Sequence, residues 1–373
     1  MNPLFAGLMN EAAHLTRNGR LAEATEAIQR ALRGGADSQA ASTTTPMPST
    51  APMADADVIE AEAREIGREQ AAQPPSPSPT PTPSSNSAEQ WTKDTFTHQG
   101  RTIDYRLFVP ACDAGQPATP RPLVVMLHGC TQDAADFATG TGMNDHARQQ
   151  GAIVLYPEQA QRSHGQKCWN WFKTQHQQRG RGEPALLAAL TQHIVAQQQA
   201  DAARVYVAGL SAGGAMADVL GHCYPDIYAA VGVHSGLAHG AASDMMSALT
   251  AMRTGASPAH AHAGTQSATA PPTIVFHGDA DTTVHVNNGL AVLAGATPGP
   301  AIEGSSAAGR RFTRTLYPAS AGHAAAEHWR LHGAGHAWSG GDAKGSYTQP
   351  DGIDASAEML RFFLAHRLNA VAK

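Results

Sequence analysis

Ser211, Asp281 and His336 are the residues whose types and order could carry out acyl transfer. Ser211 stands in GLSAG (Gly209 to Gly213), after the apolar run VYVA and before AGGAMADVLGHCY. A strand, a tight turn and a helix in succession are the context of a nucleophile elbow. Small residues at Gly209, Ala212 and Gly213 let the turn close and let substrate approach. In a chain with 36 glycines the pentapeptide alone says little, and a Gly-rich turn with an incidental serine is the plain alternative. Serine is a weak nucleophile near neutral pH, so a histidine base oriented by a carboxylate must follow.

Downstream, PTIVFHG runs into DADTTV, which offers Asp279 and Asp281. The pattern H-G-x-x-D-x-x-V favours Asp281 as the acid, with Val284 returning to the core and Asp279 capping the turn through its side chain. Of the 19 histidines, His336 stands out in GAGHAWSGG, after an expected strand His328–Gly333. Its flanking glycines free the backbone to aim the imidazole into a cleft. His332 is assigned to that strand, packed or solvated, and His260 and His262 receive no metal role. The gaps are 70 residues (281 − 211) and 55 (336 − 281), in the serine–acid–histidine order of α/β-hydrolases.

Acyl transfer also needs donors for a developing oxyanion. The backbone N–H of Ala212 is one candidate. The other is that of Cys130 in LVVMLHGCTQ, where His128-Gly129 shapes the turn. Trp169, Trp171 and Trp338 adjoin motif residues and are candidates to line a substrate pocket; closing a core edge is the alternative.

These groups need a scaffold, and the chain from about Trp91 onward supplies its signature. Apolar runs at Leu123–Leu127, Ile153–Tyr156, Val205–Ala208, Ala229–Val233 and Ile274–Phe276 alternate with helical patterns such as Ala185–Gln199 and Met359–Leu368. Short, nearly continuous apolar strands between helices predict an α/β architecture, a mostly parallel sheet covered on both faces. Residues Gly240 to Pro272, rich in Ala, His, Ser and Thr, read as a surface insertion.

The N-terminal part differs. Leu4, Leu8, Ala12 and Leu15 form one helical stripe and Leu21, Ala24, Ile28 and Leu32 another, with Asn18-Gly19 between them. Residues 1–34 therefore read as a helical hairpin that needs a surface to cover its apolar face. Residues 35–90, with PPSPSPTPTPSS, read as a disordered linker, and residues 91–373 as the catalytic domain.

A net charge of −5 with scattered Lys and Arg disfavours nucleic-acid and polybasic membrane binding. No run approaches the ~20 apolar residues of a membrane span, and the N-terminus lacks the basic region of a secretory signal. The expectation is a cytoplasmic protein, with export by a non-Sec route as the alternative. The four cysteines show neither C-x-x-C nor zinc-ligand spacing. No cofactor or metal is required by the expected chemistry.

Taken together, LHGCTQDAADFATGTGMN, LYPEQ, CWNWF, AGLSAGGAMA, VGVHSGL, FHGDADTTVH and GAGHAWSGG resemble the polyhydroxybutyrate (PHB) depolymerase family of serine esterases. The likeness is greatest to the type I catalytic domain of short-chain polyhydroxyalkanoate depolymerases. It implies an α/β-hydrolase fold with Ser211 as nucleophile, Asp281 as acid, His336 as base and Cys130 in the oxyanion hole. Some secreted relatives pair the cysteines corresponding to Cys130 and Cys168, so the resemblance admits that bridge here, although a reducing cytoplasm works against it. It also implies cleavage of PHB or its oligomers. The N-terminal hairpin becomes a candidate anchor to a storage-granule surface. The rivals are a carboxylesterase of feruloyl or acetylxylan type, acyl-CoA thioester chemistry, and a granule-binding scaffold with a vestigial hydrolase domain.

Overall fold

Along Leu123–Leu127 every residue is buried, yet alternate side chains enter different clusters: Leu123, Val125 and Leu127 one, Val124 and Met126 the other. The same alternation separates Ile153 and Leu155 from Val154 and Tyr156, and Val205 and Val207 from Tyr206 and Ala208. Successive side chains of a strand point to opposite faces, so these strands belong to a sheet with an apolar layer on each side.

The computed structural model describes residues 88–112, 119–255, 270–320 and 324–368. All fall in the second of the two units, Met1–Ser78 and Pro79–Lys373, into which the chain divides. The expected hairpin 1–34, nearly all of the linker 35–90, and His260 and His262 lie outside the described residues.

The chain enters the sheet as an antiparallel hairpin, β1 (Gln90–His98) and β2 (Arg101–Val109), then β3 (Leu123–Leu127). Helices α1 (Ala134–Thr141) and α2 (Met143–Gln150) lead to β4 (Ile153–Glu158). Then come α3 (Gly182–Gln198), β5 (Val205–Leu210), α4 (Ala212–Cys223) and β6 (Ala230–His234). After α5 (Met245–Thr254) follow β7 (Thr273–Gly278) and α6 (Asn287–Val292). Strands β8 (Ala301–Ser305), β9 (Arg311–Tyr317) and β10 (Ala326–Leu331) complete the main sheet. The short β11 (Trp338–Ser339) and β12 (Thr348–Gln349) pair with each other before α7 (Ala355–Leu364).

The ten strands lie in the order β1-β2-β4-β3-β5-β6-β7-β10-β9-β8. The central six, β4 to β10, are parallel, while β1, β2, β9 and β8 run antiparallel at the two flanks. This is the expected α/β-hydrolase fold. The flanking hairpins escaped the sequence reading because their strands are largely exposed on one or both faces and lack continuous apolar runs.

Other boundaries move. The catalytic unit begins before Trp91, since Gln90 opens β1 and Glu89 forms an ion pair with Arg148. The expected insertion 240–272 contains α5, whose Asp244 side chain and Ser247 form a reciprocal capping box; only 256–269 fall outside the description. The last helix spans Ala355–Leu364 rather than Met359–Leu368, because Asp354 caps it by accepting from Ala357 N–H. No helix among the described residues is long and apolar enough to cross a membrane.

Candidate active site

Ser211 follows the last residue of β5 and precedes the first of α4, with φ 57° and ψ −119°. A non-glycine residue in that region is strained, and the strain belongs to the turn that lifts a serine from the end of a strand. The turn closes because its neighbours have no side chains. A Cβ on Gly213 would lie 2.0 Å from the Leu127 carbonyl oxygen, and one on Gly209 would lie 2.4 Å from the Gly213 carbonyl carbon. Leu127 ends β3, so the serine turn and the turn after β3 are in backbone contact.

That second turn carries Cys130. Gln132 Oε1 accepts from Gly129 N–H at 2.9 Å. His128 accepts at Nε2 from Gln159 N–H (3.0 Å), which leaves Nδ1 to donate to the Gly129 carbonyl (2.7 Å). His128 is therefore a neutral imidazole, and burial pushes its pKa down. A disulfide joins Cys130 to Cys168, the pairing the family resemblance admitted, and ties this turn to the loop after β4. Neither the Cys130 nor the Ala212 backbone N–H has a partner among the described residues. Ala212 also opens α4, where the helix dipole favours negative charge.

The acid and the base come from the ends of β7 and β10, which are parallel neighbours. Asp281 Oδ2 lies 2.7 Å from His336 Nδ1, and Asp281 Oδ1 accepts from Thr283 and Val284 N–H. Burial opposes ionisation of Asp281. The His336 hydrogen bond and charge, with the Val284 and Thr283 amides, outweigh it and hold the carboxyl below the usual range. An imidazole whose Nδ1 is held by a carboxylate presents Nε2 for proton transfer. The Ser211 hydroxyl has no hydrogen-bond partner among the described residues. The serine–histidine link is the one part of the expected relay left unmade at rest, and such links often form only with substrate.

Two buried histidines back the site. His234, last in β6, offers its carbonyl to Ser211 N–H (2.9 Å). Its ring accepts at Nε2 from Ser339 N–H and stacks between Phe276 and Trp338. Burial pushes its pKa down to about 3. His277 donates from Nε2 to the Val284 carbonyl (2.8 Å), which shapes the turn carrying Asp281. Sequence reading missed both, since nothing in VGVHSGL or IVFHG separates an imidazole that braces a turn from one that packs in a strand.

The structure thus brings Ser211, Asp281, His336, Cys130 and Ala212 to the carboxyl ends of neighbouring parallel strands. It gathers neither Trp171 nor Trp338 there as a pocket wall, while Trp169, though buried, lines a cavity beside the loop after β4. Trp338 is 1% exposed, edge-on to Phe137, and donates to Ser356 Oγ; Trp169 is fully buried and donates to the His128 carbonyl. Trp171 packs against Phe172 in the same apolar layer as Trp169. Indoles beside motif residues here fill the core under the turns. His332 lies just past β10 rather than within it, and Asp279 holds it, with Nδ1 2.9 Å from Oδ2. The described residues contain no group of three or more His, Cys, Asp or Glu side chains placed to hold a metal.

A family model described as "Esterase PHB depolymerase" matches residues 103–294, about half of the chain. The chain belongs to the PHB depolymerase family of esterases. Ser211 and Asp281 fall inside the span shared with this esterase family, while His336 lies beyond it. Over 142 residues the chain is 38% identical to poly(3-hydroxyalkanoate) depolymerase C of Paucimonas lemoignei, covering 38% of this chain and 34% of that one. It is 36% identical over 123 residues to feruloyl esterase B of Neurospora crassa, covering 33% and 41%. These matches span about a third to two-fifths of the relatives' lengths. Among solved structures, the acetyl xylan esterase from Aspergillus awamori superposes with a TM-score of 0.54 at 22% identity, covering 67% of this chain and 94% of that one, which is a likeness of fold.

Proposed function

We propose that the protein is a serine hydrolase that cleaves the ester bonds of poly(3-hydroxybutyrate) or its oligomers. One observation carries the reading: Asp281 and His336 meet at 2.7 Å on the same edge of the sheet as the strained Ser211 turn. Ser211 Oγ attacks the ester carbonyl while His336 takes its proton. Asp281 orients the imidazole and stabilises the imidazolium, and the N–H groups of Cys130 and Ala212 receive the oxyanion. His336 then returns the proton to the departing alkoxide. Water attacks the acyl-enzyme by the same route and releases the acid.

The depolymerase relative favours a polyester substrate. The feruloyl esterase relative supports a second reading, a carboxylesterase for small or aromatic esters. Clearing of amorphous PHB granules by wild type, abolished by Ser211→Ala, supports the first. Intact granules alongside Ser211-dependent hydrolysis of feruloyl esters support the second.

Residues 1–34 are proposed as an anchor to a granule surface, tested by whether their deletion frees the protein from granules. The Cys130–Cys168 bridge supports an oxidising compartment as the alternative to a cytoplasmic granule, because cytosolic thiols are kept reduced. Thiol trapping in protein taken directly from cells tests this, and two modifiable thiols at these positions would return the assignment to the cytoplasm.

A further inference from the structure

A cavity of about 550 Å³ opens between the start of β2, the loop after β4 and the first turns of α3, a volume typical of small-molecule sites. Three cations line it, Arg101, Arg162 and Lys173, drawn from positions far apart in the chain. None of the three has a carboxylate partner among the described residues. Arg162 is positioned by donating to the Thr102 carbonyl (3.0 Å), and Lys173 Nζ lies 6.0 Å from the centroid of the Phe172 ring.

The carboxylate in this wall is already engaged. Glu183 is buried and accepts from Asn170 N–H, Asn170 Nδ2 and Gln159 Nε2 at 2.6–2.7 Å. Those donors keep it ionised, so the wall sets one negative charge against three cations and stays net positive. The wall is polar and incompletely satisfied, since Asn170 Oδ1 is buried without a hydrogen-bond partner. The surplus of positive charge suits a small anion.

The cavity shares the edge of the sheet that carries Ser211. Asp104 of β2 pairs antiparallel with Glu158, so the start of β2 meets the carboxyl end of β4. In the order β4-β3-β5, that end lies two strand spacings, ~10 Å, from the end of β5. Two of its wall residues also brace the oxyanion turn: Gln159 N–H and the Trp169 indole both donate to His128. A chain with its reacting ester at Ser211 and its end in this cavity would lie along the strand ends.

We propose that this cavity is a carboxylate-binding subsite, which takes the free acid end of a hydroxyalkanoate oligomer whose ester bond lies at Ser211. The inference rests on the depolymerase reading for the identity of the ligand. The test compares a 3-hydroxybutyrate trimer with its methyl ester, whose charge is removed at one end. Binding of both to the Ser211→Ala protein is measured by calorimetry, and wild-type hydrolysis of both is measured in parallel.

The acid is expected to bind at least about tenfold more tightly, as charged hydrogen bonds require. Arg101→Gln, Arg162→Gln and Lys173→Gln should each narrow that ratio, and the triple variant should close it; a ratio is insensitive to general loss of affinity. Equal binding of acid and ester overturns the subsite, as does a preference that survives the triple substitution. If wild type leaves the trimer uncleaved while Ser211→Ala still prefers the acid, the depolymerase reading falls and the subsite stands.

Discussion

Asp279 and Asp281, two residues apart on one turn, hold two different histidines: Asp279 lies 2.9 Å from His332 Nδ1 and Asp281 2.7 Å from His336 Nδ1. Asp279 also accepts from Gly333 N–H, and Ala280 N–H donates to the Ala334 carbonyl. The inner carboxylate thus locks the turn after β10 against the turn after β7, and the outer one meets His336, the proposed base.

Separate effects are expected from the two positions. Asp281→Asn should lower kcat by ~10⁴, the scale seen when a triad acid is lost and the imidazole tautomer goes wrong. Asp279→Ala leaves Gly333 N–H and His332 without their acceptor and should cost about 1–3 kcal/mol with a smaller fall in kcat. Urea denaturation and steady-state rates on p-nitrophenyl butyrate, run on both variants, check the division.

Acid should destabilise the fold through its buried histidines before it protonates Asp281. Burial pushes His234 down to about 3 and His328 down to about 4. Between the ordinary value near 6.5 and those values the unfolded chain binds the extra protons, so stability falls as pH falls. Asp281, held below the usual carboxylate range, contributes stability that persists above its unfolded pKa and is lost only as pH falls through its lower folded value. Denaturation midpoints at pH 7 and pH 4.5 should differ in wild type. The difference should shrink in His328→Gln, and an unchanged difference counts against this source.

Reducing the Cys130–Cys168 bridge should cost about 2–4 kcal/mol, the usual range for closing a loop of this size; the separation is 38 residues. Because Cys130 also supplies a candidate oxyanion donor, Cys168→Ser should lower kcat more than KM. Melting and kinetics with and without dithiothreitol measure both effects, and a variant with wild-type kcat would detach the bridge from the site.

Trp338→Phe should lower the melting temperature while leaving KM unchanged, since the indole donates to buried Ser356 and touches His234 and Phe137. A raised KM with unchanged melting would return Trp338 to the substrate pocket.

The parallel strands and the order of Ser211, Asp281 and His336 were legible because each rests on local pattern: five apolar runs, glycine-rich turns and a fixed serine–acid–histidine succession. The exposed hairpins β1–β2 and β8–β9 were not, since their half-solvated strands bear no continuous apolar signal. Choosing Asp281 over Asp279 was possible from spacing, but the service that Asp279 gives to His332 and Gly333 was not.

What the sequence determined by itself is a covered parallel sheet and the identity of the groups placed at its strand ends, because strand burial and turn chemistry are set by residues close in the chain. Only the tertiary structure decided that Trp338 is core while Trp169 backs a cavity, that His234 and His277 brace the turns carrying Ser211 and Asp281, and that Arg101, Arg162 and Lys173 share that cavity. Those facts depend on which strands become neighbours, and strand order is fixed by packing between distant segments, where local pattern carries no record of it.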